Sequence, residues 1–299
     1  MSTLIAKELP DFNQLWDFSN PAKTETKFRE LLPEAQKLDD KNYYFQLLTQ
    51  IARTQGLQRK FDEAHLTLDQ VKSRLESASE LTEIRYLLER GRVFNSSKKA
   101  TEALPFFVKA YHKAFKGNSD DLAVDAAHMV AIAEAKPSDQ LEWNLKALAI
   151  AEKSEDDKAR SWLGSLYNNI GWTYHDSGKL DEALSLFQRA LAFRESKGEA
   201  SSIRIAKWSV ARTYRSLKRL LEALTIQLDL EREFAKEGAS DGYVFEELAE
   251  LYLLMAKNEL AQKYFALAYK EFSKDEWFKT HESVRLKRIE ELAQGPLSH

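Results

Sequence analysis

Small and large apolar side chains recur along this chain in a fixed order. In six stretches a small position is followed twelve residues later by a second one: Ala52 and Ala64, Gly91 and Ala103, His128 and Gln140, Gly171 and Ala183, Ala211 and Ala223, Ala249 and Ala261. Five pairs are small-to-small, and the third is degenerate. Three residues after the first member stands a large side chain at Phe94, Tyr174, Tyr214 and Tyr252, from which Gln55 and Ala131 depart. Four residues after the second member stand Leu68, Phe107, Phe187 and Phe265, with Asn144 and Gln227 as exceptions.

Packing explains such an order. Two antiparallel helices approach closely only where the facing side chains are small, and large rings then fill the space between one pair and the next. A single pair cannot bury its own apolar face, so neighbours must stack. The fullest copy runs Tyr167-Asn168-Asn169-Ile170-Gly171-Trp172-Thr173-Tyr174 and continues through Ser177-Gly178-Lys179-Leu180-Asp181-Glu182-Ala183-Leu184 to Phe187 and Ala190. It resembles the tetratricopeptide repeat, a helix-turn-helix unit that stacks into a superhelix. The copies lie 39, 37, 43, 40 and 38 residues apart, against about 34 in the usual repeat. Repeats of this length with an Asn-Asn pair are similar to those of kinesin light chain and of Leu-Gly-Asn polarity adaptors. The resemblance implies an all-α chain, a right-handed α-α superhelix of about six helical pairs with capping helices at both ends.

The domain reading follows from this frame. Residues 1–40 are expected to form an N-terminal capping half-repeat, residues 41–275 the six repeats, and residues 276–299 a capping helix and tail. Thr24 to Leu38 carries an amphipathic run with Phe28, Leu31, Leu32 and Ala35 on one face, and Val284, Leu286, Ile289 and Leu292 form a similar stripe near the end. Caps of this kind cover the open faces of a solenoid. The frame crosses the middle of the chain without a break, which predicts one solenoid.

Composition narrows the function. The chain has 299 residues, 43% apolar and 30% charged, with only 10 Gly and 6 Pro, as a long helical protein requires. A net charge of −3 with Lys and Arg dispersed among acids argues against nucleic acid as a ligand. Without Cys there are no disulfides and no thiolate metal sites. No signal-length apolar core and no run of 18 apolar residues occurs, so no membrane insertion is expected and the cytoplasm is the expected location. The six His are scattered, and no phosphate-cradling glycine loop or nucleophile elbow is present. His175-Asp176, the one dipeptide suggestive of metal, falls at a helix end where polar residues belong anyway. No catalytic residue, metal or cofactor is expected.

What remains is the inner face. In the tetratricopeptide family the first helix of each pair lines the concave groove, which implies inward positions at Arg53, Arg92, Asn168, Asn169, Trp172, Trp208, Arg212 and Arg215. Asn169 shares a helix face with Trp172 and offers both a donor and an acceptor to the backbone of an extended peptide. The arginines suit carboxylates or phosphates, and the tryptophans suit apolar anchoring. The same arginines also have an internal use available, as salt bridges to Glu89, Asp176 or the acids Glu246, Glu247 and Glu250. The expected job is a protein-interaction adaptor that holds a partner segment in its groove. Two other readings are a sensor of a small ligand or signalling peptide that changes curvature on binding, and a homo-oligomeric assembly factor using Trp16, Trp277 or Phe278 as end surface.

Overall fold

The structure is a computed structural model, and it describes residues 9–295. Among these residues every regular element is helical, and the helices gather into two compact units that meet in sequence at Leu163 and Gly164. The tail from 296 onward lies outside the described residues, as do the first eight.

The first unit opens with a short 3-10 turn, Phe12–Leu15, and the cap helix α1 (Pro21–Ala35). Three pairs follow: α2 (Asn42–Leu57) with α3 (Phe61–Lys72), α4 (Glu80–Ser96) with α5 (Ala100–Lys116), and α6 (Asp120–Ala133) with α7 (Pro137–Lys153). A five-residue helix, α8 (Asp157–Ser161), comes last. The second unit contains α9 (Leu163–Asp176) with α10 (Leu180–Lys197), α11 (Ala200–Ser216) with α12 (Leu220–Lys236), and α13 (Gly242–Leu254) with α14 (Asn258–Phe272). It ends on α15 (Glu276–His281) and α16 (Ser283–Gln294). Each of the six sequence copies is therefore one antiparallel pair. The extra length of the 43-residue spacing lies partly in α8.

The small positions are small because rings lie on them. A Cβ placed on Gly91 would come within 2.5 Å of the Phe107 ring, and one on Gly171 within 2.7 Å of Phe187. Both rings are fully buried. Where alanine takes the first position, at Ala52, Ala211 and Ala249, the residue at the ring's place in the copy is Leu68, Gln227 and Phe265. In the degenerate copy a polar pair replaces the small-aromatic one, His128 Nδ1 lying 3.3 Å from Asn144 Oδ1.

The turns repeat as faithfully as the packing. Seven residues after the first small position the backbone is left-handed at Arg59, Lys98, Gly178, Lys218 and Ala256. The next residue's N–H then reaches back to the carbonyl five residues earlier, as in Lys99 to Phe94, Lys179 to Tyr174, Arg219 to Tyr214 and Lys257 to Tyr252, each at 2.9 Å. This bond satisfies a carbonyl left open at the helix end. The position that carries the aromatic thus also supplies the acceptor. In the third copy α6 instead ends on an extended Glu134, and Pro137 starts α7.

Gln227 is the outlier of the core. It is fully buried, and neither amide atom has a partner. It stands where Phe107, Phe187 and Phe265 stand in other copies.

Two stability predictions follow from these contacts. Gly91→Ala forces its methyl into the Phe107 ring and is expected to lower stability by about 1–3 kcal/mol in urea denaturation; an unchanged midpoint would show that the pair separates freely. Gln227→Leu removes an unsatisfied buried amide and is expected to raise the melting temperature, by the equivalent of about 1–3 kcal/mol. A lower melting temperature would mean that the amide is satisfied in solution.

Candidate functional site

The inner faces are built by the first helices of the pairs, and their charged side chains follow a rule. An arginine one or four residues after the small position meets an acid two or three residues before the small position of the following first helix. In the first unit, Arg92 Nη1 donates to Glu89 Oε1 at 2.6 Å and its Nη2 binds Asp125 with both carboxylate oxygens. Arg53 Nη1 lies 3.6 Å from the same Glu89 Oε1. In the second unit, Arg215 grips Glu247 through Nε at 2.7 Å and Nη2 at 2.9 Å, and Arg212 Nε lies 3.1 Å from Glu247 Oε1. The acids of α13 continue the series, Glu246 pairing with Arg285 and Glu250 with Arg288 of α16.

Of the arginines expected to meet a ligand carboxylate, Arg92, Arg212 and Arg215 thus already hold carboxylates of the chain. The physical reason is the offset of neighbouring first helices, which sets the arginine of one beside the acid of the next. Burial is the largest influence on Arg92 and pulls its pKa down, but Asp125 and Glu89 outweigh it and hold the group above its ordinary value. At Arg215 the bidentate bond to Glu247 likewise wins over burial, whereas at Arg212 burial wins and the pKa is lowered. Arg53 is lowered too, first by burial and then by the neighbouring charge of Arg92.

In the first unit Arg53, Glu89 and Asp125 line a walled cup of about 530 Å³. Its floor is the inner faces of α2, α4 and α6. One wall is the segment after the 3-10 turn, where Trp16 and Phe18 stack with ring centroids 4.6 Å apart and Trp16 Nε1 donates to Gln50 Oε1 at 3.1 Å. The opposite wall carries Lys158 of α8 and Trp162, whose ring lies 5.3 Å from that of His128. The segment from Phe12 to Phe18, within the stretch expected to form a cap, therefore has two roles: Phe12 is buried against Phe28 and Tyr43, while Trp16 and Phe18 border the cup. Arg85 also lines it. Arg85 is not among the residues that the sequence singles out for binding, because its setting depends on walls that come from remote segments.

In the second unit the inner face is aromatic. Trp172, Trp208, Tyr243 and Phe278 form a row with successive centroids 5.9, 6.3 and 6.3 Å apart. Beside it an apolar pocket of about 440 Å³ opens between Ile205, Trp208, Leu230, Phe234, Tyr243 and Val244. Ile205 is 56% exposed and Tyr243 40%, so apolar surface reaches solvent there. Asn168 Nδ2 lies 3.4 Å from Asn169 Oδ1, and Asn168 Oδ1 is buried without a partner. His175 turns Nε2 to Ser216 Oγ at 2.9 Å, linking α9 to α11.

Residues 141–196 match the tetratricopeptide repeat family model. No curated protein matches the sequence. Among solved structures, the apo form of RapI is similar over 95% of this chain and 81% of its own, with a TM-score of 0.76 at 15% identity. The nearly identical tetratricopeptide-like repeats of a kinesin-light-chain type protein from Podospora anserina align with 68% of this chain and 100% of theirs, with a TM-score of 0.55 at 18% identity. NprR in complex with its cognate peptide NprX covers 94% of this chain and 81% of its own, with a TM-score of 0.50 at 16% identity. The chain has the tetratricopeptide-repeat fold. Among the described residues no helix is long and apolar enough to cross a membrane.

Glu247, with its side chain 6% exposed, neutralises two arginines at once. Glu247→Gln is expected to cost about 3 kcal/mol, at the low end for breaking a buried pair because both guanidinium groups keep some access to water. A chemical denaturation midpoint equal to wild type would show that the arginines re-solvate without penalty.

Proposed function

We propose that the protein is a non-enzymatic interaction scaffold that holds an extended segment of a partner polypeptide on the inner faces of its first helices. The observation that carries this reading is the open apolar pocket beside the Trp172–Trp208–Tyr243 row. Large apolar anchors seated in such pockets dominate many interfaces, and helices pinned to one another by Glu247 and its neighbours supply a pre-organised floor, which lowers the ordering cost of binding. Asn168 and Asn169 stand one helical turn before Trp172 on α9 and supply amide groups for the backbone of the bound segment. A peptide ligand is also what the NprR complex carries in the same fold. That parallel favours the signalling-peptide form of the sensor reading over its small-molecule form.

Selection of a random-peptide display library on the purified chain tests the proposal. A family of related sequences is expected, and Ile205→Glu, a change at an exposed side chain, is expected to weaken the selected peptides about tenfold or more, as does Asn169→Ala if its amide bonds the backbone. A chain that enriches no sequence family, or binders indifferent to both substitutions, would overturn it.

A further inference from the structure

The ion pairs of the inner faces leave one place incompletely neutralised. Arg53, Arg85 and Lys158 line the cup of the first unit together with Glu89, Asp121 and Asp125, and Arg92, outside the lining, binds two of those three acids. Arg92 consumes Asp125 and one oxygen of Glu89. Arg53 is left with a 3.6 Å approach to that same oxygen.

Two polar atoms of the cup are buried and unpartnered. One is a donor, Arg85 Nε, and the other an acceptor, Glu89 Oε2. Glu89 is only 2% exposed. The two residues are four apart on α4 and so share a face. Among the described residues Arg85 makes no ion pair; its guanidinium lies over the Phe12 ring at 5.4 Å, and burial lowers its pKa. Arg53 is held over Trp16 and Phe18, 5.5 and 5.3 Å from their centroids. Unmet buried donors and acceptors are expensive, and a guanidinium desolvated against aromatic rings binds an anion more strongly than one in water.

We propose that this cup takes an acidic side chain of a partner segment, its carboxylate accepting from Arg85 Nε and Arg53 while the backbone N–H of the same residue donates to Glu89 Oε2. A carboxylate and an N–H within one residue match the paired donor and acceptor on α4. The aromatic wall of Trp16 and the facing Trp162 enclose the residue, and Lys158 at the rim adds attraction for acids. This assignment rests on the segment-binding reading of the preceding section and adds the chemistry that the first unit selects.

The test uses the full chain and peptides from a random-peptide display library, re-measured as synthetic labelled peptides by fluorescence anisotropy. One position is expected to be enriched in Asp or Glu. Arg85→Gln is expected to weaken such a peptide about tenfold, changing the peptide's acid to its amide is expected to do the same, and the two changes together are expected to cost little more than either alone, since they remove one shared contact. Lys158→Glu, at an exposed site, supplies a second variant that leaves the fold untouched and is expected to weaken acidic peptides several-fold. Acidic peptides that bind a folded Arg85→Gln chain as well as wild type would overturn the assignment, as would additive losses in the double change. Peptides that lose affinity on Ile205→Glu but show no acidic preference would overturn it while leaving the segment-binding reading intact, whereas a wild-type chain that enriches nothing would overturn both.

Discussion

A phenylalanine ring resting on a bare backbone is the contact on which the architecture depends. Phe107 on Gly91 and Phe187 on Gly171 bring the two helices of a pair closer than any side chain at the glycine would permit. Once that distance is fixed, the left-handed residue seven positions after the first small one and the backward N–H bond to the aromatic position complete the turn. The same short stretch of sequence therefore sets helix spacing, turn conformation and carbonyl capping together, and agreement among local rules of this kind makes a fold specific. Two copies depart from this contact in different ways. The third has His128 facing Asn144, an extended helix end and no left-handed turn residue, and the fifth buries Gln227 without a partner.

Charges then organise what the rings have spaced. Fixed spacing between first helices brings an arginine of one beside an acid of the next, and nearly every inward guanidinium becomes an internal cross-link. A buried ion pair does little for net stability against an apolar alternative, but it does hold the inner face rigid and neutral. The result for binding is subtractive. Where pairing is complete, as at Arg215 and Glu247, the guanidinium already holds a carboxylate through two nitrogens; where it fails, as at Arg85, a buried donor stays unpartnered.

The helical pairs, their order and their small-to-large contacts were legible in the sequence because nearest-neighbour packing leaves a local signature: Gly91 and Phe107, or Gly171 and Phe187, lie within one copy at the same spacing. The inward residues were legible as positions. Their state was not, since whether Arg212 is free depends on Glu247, thirty-five residues away on another helix. A signal did exist in the recurrence of an arginine just after one small position and an acid just before the next. The walls of the cup were out of reach for a stronger reason. They come from Trp16 and Phe18, before the first copy, and from α8 and Trp162, in the insertion after the third, and neither segment belongs to the repeat. The two apolar or charged openings thus differ in how readable they are: Trp208 is in frame, whereas Lys158 is not.

That contrast bears on where specificity resides in a repeat protein. Repeating residues are tied to packing or to cross-links between first helices, so they are constrained to be alike from copy to copy and can discriminate little between ligands. On the proposed segment-binding reading, discrimination falls to the departures: the insertion that lengthens the third spacing, the aromatic segment folded onto α2, the apolar opening beside Ile205. The degenerate third copy belongs with them. Its His128 gives up the bare backbone that a ring would cover and meets Trp162 instead, so the loss of the packing rule in that copy coincides with the wall that closes the cup. A copy that packs less regularly is the one able to carry a feature that no other copy has.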